Sequence, residues 1–61
     1  MKSETKIIDI RSSSFNAVRV IDGKQYILTN IKYDGTKEGF DKRANRIKNI
    51  PDQMFIDLIN I

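Results

Sequence analysis

The chain has 61 residues, 39% of them hydrophobic and 31% charged, with a formal net charge of +3 and neither cysteine nor histidine. That length allows one domain, residues 1–61, with a modest core and about 3–5 kcal/mol of net stability. The lack of cysteine excludes disulfide staples and thiolate metal sites, and the lack of histidine removes the usual general base.

Composition therefore points to a protein that is not an enzyme and that carries no metal or cofactor. No apolar run approaches the roughly 18 residues needed to cross a bilayer, so no membrane partner is expected and the expected location is cytoplasmic. The prominence of isoleucine, lysine, asparagine and aspartate suggests an AT-rich coding genome, such as that of a low-GC bacterium or its phage.

Residues 1–5 read as a flexible amino terminus, and Lys6 to Arg11 as a short strand closed by Ser12, Ser13 and Ser14. Residues 15–31 read as a β-hairpin around Asp22-Gly23, because a type I′ turn needs positive φ at both central positions. That turn sets Ile21 opposite Lys24, Arg19 opposite Tyr26, Val18 opposite Ile27 and Ala17 opposite Leu28. One face then carries Phe15, Ala17, Arg19, Ile21, Tyr26 and Leu28, and the other Val18, Val20, Ile27 and Ile31. Both faces are substantially apolar, which predicts a cover for each and, in so short a chain, a homodimer.

Asp34-Gly35 breaks the second strand, and Thr36 can cap a helix running to about Asn49, with Phe40, Ala44 and Ile47 as its apolar stripe. Gly39 in the first turn costs up to about 1 kcal/mol relative to alanine, so the helix could begin one turn later. Pro51 ends this helix and suits the first position of another, whose residues Met54, Phe55, Leu58 and Ile59 form one apolar arc that leaves out Ile56. The predicted fold is α+β: a three-stranded antiparallel sheet, including the hairpin 15–31, packed by two short carboxy-terminal helices.

The aspartates are scattered along the chain and form no closely spaced set for an oxygen-liganded metal. Gly35-Thr36-Lys37-Glu38-Gly39 has the glycines and lysine of a phosphate loop but lacks its Gly-Lys-Ser/Thr ending, so a turn and helix cap explain it better. The basic helix is more informative. Lys42, Asn45, Arg46 and Asn49 fall together opposite the apolar stripe, with Arg43 beside them, and these are side chains that contact base edges and phosphates. The same pattern also suits a solvated helix face that keeps a small protein soluble. A second nucleic-acid reading has Arg19, Lys24 and Tyr26 stacking single-stranded bases, but their neighbours Ile21 and Leu28 mark that face as core.

The favoured function is a non-catalytic nucleic-acid-binding or regulatory protein, DNA-binding through Lys42, Arg43, Asn45, Arg46 and Asn49. The alternative is a small protein-binding inhibitor or adaptor, such as a phage encodes, whose partner or second copy meets an apolar surface at Ile56, Val18 and Val20. The two differ in salt dependence, which is steep for nucleic acid and shallow for an apolar interface.

Overall fold

The computed structural model describes residues 4–61. The elements are β1 (Thr5–Ile8), β2 (Ser14–Ile21), β3 (Lys24–Lys32), α1 (Lys37–Asn49) and α2 (Asp52–Ile59), and the three strands form one antiparallel sheet in the order β1-β2-β3. The architecture is the α+β arrangement expected from the sequence.

Asp22 and Gly23 have φ of 51° and 77°, the two positive angles of the predicted turn. The four strand pairs expected from it, from Ile21 with Lys24 to Ala17 with Leu28, all form. Farther from the turn the ladder is irregular. Between the pairs Ala17–Leu28 and Phe15–Ile31, β2 contributes Asn16 alone while β3 contributes Thr29 and Asn30. Asn30 adopts φ 61°, and its N–H donates to Asn16 Oδ1 at 2.9 Å. This bulge reverses the alternation of side chains beyond it. Ile31, expected beside Val18 and Ile27, therefore packs against the core instead.

The first strand also departs from its expected span of Lys6 to Arg11. Asp9, at φ 50°, turns the chain out of β1 while its carboxylate accepts a hydrogen bond from Asn16 Nδ2 at 2.9 Å. Thr5 lies in β1 and not in a flexible terminus; of the residues 1–5 expected to be flexible, 1–3 lie outside the described residues.

The two faces of the sheet have different fates. Phe15, Ala17, Arg19 and Ile21 are buried, and Ala17 meets Ile47 of α1 and Phe55 of α2, so both helices cover this one side. Phe15, Tyr33 and Phe40 close one end of the core as an aromatic cluster, with ring centroids 5.9, 5.1 and 5.4 Å apart. On the opposite side Val20 is 50% exposed and Ile27 45%.

Arg19 is the charged member of the buried side, 2% exposed. Its guanidinium donates to Thr5 Oγ1 at 2.7 Å, to the carbonyl oxygens of Ile47 at 2.8 Å and Ile50 at 2.7 Å, and to Asp52 Oδ1 at 3.1 Å. It also lies 4.7 Å from the centroid of the Phe55 ring. The last carbonyls of a helix lack intrahelical donors, and Arg19 supplies them for α1 from across the sheet. Core is thus the correct reading for Arg19, with Tyr26 half-buried beside it and Lys24 over the Tyr26 ring at 5.9 Å.

Helix α1 starts where Thr36 predicts: the Thr36 hydroxyl accepts from Gly39 N–H at 3.0 Å. A Cβ on Gly39 would stand 2.0 Å from Asp34 Oδ1, so this glycine makes room for a carboxylate, and the helix does not begin a turn later. Pro51 is the N-cap of α2, one position before the first helical residue. The α2 arc is rotated from expectation. Asp52 must reach Arg19, and residues four apart share a helix face, so Ile56 turns inward with it and is half-buried. Met54 and Leu58 take the outward positions, while Phe55 and Ile59 pack on the core.

Candidate nucleic-acid interface

The candidate site begins with the short return from β3 into α1. Asp34 folds its carboxylate over the helix start, accepting from the Thr36 hydroxyl at 2.7 Å and the Thr36 N–H at 3.0 Å. These bonds, the hydroxyl first, hold its carboxyl below the ordinary aspartate value, and the nearby charge of Lys42 adds to the effect. The return is tight enough to bring the end of β3 beside the first turns of α1.

Between them lies a recess of about 540 Å³, lined by Lys32, Tyr33 and Asp34 on one wall and by Gly39, Lys42, Arg43 and Arg46 on the other. Gly39, Lys42, Arg43 and Arg46 recur at three- and four-residue spacing and so share one side of the helix. Four cations face one carboxylate, and among the described residues Lys32, Lys42, Arg43 and Arg46 form no ion pair. Their donors are available to a ligand.

Three of the five residues predicted to bind nucleic acid, Lys42, Arg43 and Arg46, thus meet in one place. The other two do not join them. Asn49 Nδ2 donates to the Asn45 carbonyl at 2.8 Å and to Asn45 Oδ1 at 3.2 Å, on an exposed flank of the helix that does not line the recess. That flank continues through Glu38 and Asp41, so both carboxylates of α1 lie on the asparagine side. Lys32 and Tyr33 were not foreseen, although the Asp34-Gly35 turn directly after them was the available signal that they sit at the helix start.

Of the residues proposed for a partner surface, Val18 and Val20 line an apolar concavity of about 500 Å³ on the open side of the sheet, with Ile8, Lys6, Glu4 and Gln25. Ile56 is on the other side of the molecule, half-buried in α2. No helix among the described residues is long and apolar enough to cross a membrane, and no three or more metal-ligating side chains among them cluster. Comparison with known protein families, curated proteins and solved structures finds no match for this chain, so function is argued from the site alone.

Proposed function

We propose that this chain is a non-catalytic nucleic-acid-binding protein with a regulatory role, contacting phosphates through α1 and the end of β3. The observation that carries the reading is the recess in which Lys32, Lys42, Arg43 and Arg46 stand without ion-pair partners among the described residues. Unpaired cations converging on a concave surface attract a polyanion, and each phosphate neutralised releases counterions. With four cations engaged, affinity should fall with a log-log salt slope of about −3.6, at roughly −0.9 per phosphate on a duplex and less on a single strand. Replacing Lys42 and Arg46 with alanine should lower both affinity and slope. Absence of binding to duplex and single strands at low salt overturns the proposal.

The exposed Val20 and Ile27 favour a second reading, a protein-binding inhibitor or adaptor whose partner, or second copy, covers the open sheet face. Sedimentation at micromolar concentration tests the homodimer. A 7.1 kDa monomer at every concentration, with Val20→Thr behaving identically, would remove it.

A further inference from the structure

The recess has a shape that duplex recognition by α1 does not require. A helix that reads a major groove presents its outermost stripe to the base edges, and on α1 that stripe mixes Lys42 and Arg46 with Glu38, Asn45 and Asn49. Glu38 and Asp41 would meet phosphates as the helix entered, and the two asparagines already spend polar groups on each other. Lys42 and Arg46, at the edge of that stripe, also line with Lys32 and Arg43 an open recess of about 540 Å³, a size that suits one small ligand. A recess of this size can seat an unpaired nucleotide.

The wall formed by the end of β3 includes one aromatic ring, Tyr33, half-buried. Tyr33 is fixed by Phe15 at 5.9 Å, by Phe40 at 5.4 Å and by its hydroxyl, which donates to the Arg11 carbonyl. A ring fixed on three sides pays little entropy when a base stacks on it, and stacking beside a basic track is how proteins hold single strands without reading sequence.

Resting on the nucleic-acid reading above, we infer that the recess binds single-stranded nucleic acid, with phosphates on Lys32, Lys42, Arg43 and Arg46 and a base against Tyr33. Asn45 and Asn49 take no part in recognition. The chemistry recognised is an unpaired nucleotide chain, from DNA or RNA.

The test uses the full chain and three labelled probes of about ten nucleotides: oligothymidylate, oligouridylate and a mixed-sequence duplex, followed by fluorescence anisotropy in low salt. At least one single strand should bind about tenfold tighter than the duplex, and the tighter of the two shows whether the thymidine or the uridine strand is preferred. Arg43→Glu, at an exposed position, should lower single-strand affinity by about tenfold, while Asn45→Ala and Asn49→Ala should stay within about twofold. The chain has two tyrosines and no tryptophan, so in a Tyr26→Phe protein all tyrosine emission comes from Tyr33. Saturation with the single strand should quench that emission.

Preference for the duplex, loss of binding in Asn45→Ala or Asn49→Ala, or unchanged Tyr33 emission at saturation overturns the single-strand inference while leaving nucleic-acid binding in place. Failure of all three probes to bind overturns both.

Discussion

The molecule holds its positive charge in two ways, at Arg19 and at the recess. Arg19 is enclosed, and its donors go to Thr5, Ile47, Ile50 and Asp52 of its own chain. Lys32, Lys42, Arg43 and Arg46 surround a hollow and form no ion pair among the described residues. The difference shows why a residue type is a poor guide to role. A cation whose donors are consumed internally holds elements together, whereas cations with unspent donors around a concavity are the ones on which a proposal of ligand binding can rest.

The largest expected effect comes from exchanging these roles. Arg19→Ala leaves the Ile47 and Ile50 carbonyls at the end of α1 without this donor, at about 1–3 kcal/mol for each buried acceptor left unpaired, while Asp52, 46% exposed, stays solvated. Two such losses approach the whole stability of a domain this size, so the variant should lack a cooperative urea transition. A triple variant Lys42→Ala, Arg43→Ala, Arg46→Ala should unfold within about 0.5 kcal/mol of the parent per site yet lose nucleic-acid binding. A folded Arg19→Ala protein, or an unfolded triple variant, would break the distinction between the two regions.

How much of this was readable beforehand depends on the range of the interaction responsible. The hairpin register followed from Asp22-Gly23 because turn type is decided by the residues of the turn itself. The Thr36 cap was readable for the same reason. The bulge was not, since it depends on Asn30 in a left-handed conformation held by Asn16 across the ladder, and any pattern that assumes strict alternation places Ile31 on the wrong side. The inward rotation of Asp52 and Ile56 depends on Arg19, which is 33 residues from Asp52 in sequence. At the candidate site, helical spacing grouped Lys42, Arg43 and Arg46. It could not supply Lys32 and Tyr33 from another element, nor show that Asn45 and Asn49 bond to each other.

A smaller effect sharpens the comparison at the wall of the recess. Glycine in a helix is ordinarily about 1 kcal/mol worse than alanine, so Gly39→Ala should stabilise an unconstrained helix. Here the new methyl would stand 2.0 Å from Asp34 Oδ1, which is fixed by two bonds from Thr36. Gly39→Ala should therefore give no gain, or a loss, in the parent, and recover most of that 1 kcal/mol in an Asp34→Ala background. Urea unfolding of the four proteins in the cycle measures it. Equal stabilisation in both backgrounds would show that Gly39 is not there to admit Asp34.

The smallest expected effect concerns the one carboxylate that lines the recess. Asp34 is held below the ordinary aspartate value by the Thr36 hydroxyl, then by the Thr36 N–H, with Lys42 adding to the effect. A carboxyl whose pKa is lower folded than unfolded binds fewer protons in the native state. Its contribution is complete above the unfolded value, near pH 4, and disappears as pH falls through the lower folded value. Asp34→Asn keeps a carbonyl acceptor for Thr36 but cannot titrate, so comparison of the two proteins cancels every other acidic group. The parent should melt at a higher temperature than Asp34→Asn at neutral pH, by an amount constant down to about pH 4 and shrinking below it. A difference unchanged down to about pH 2 would mean that Thr36 binds the Asp34 oxygen without sensing its charge. Asp34 is the carboxylate lining the recess among the described residues, so neutralising it also removes a group that would repel a phosphate there. Asp34→Asn should accordingly bind a single strand at neutral pH somewhat more tightly than the parent, while being the less stable of the two proteins.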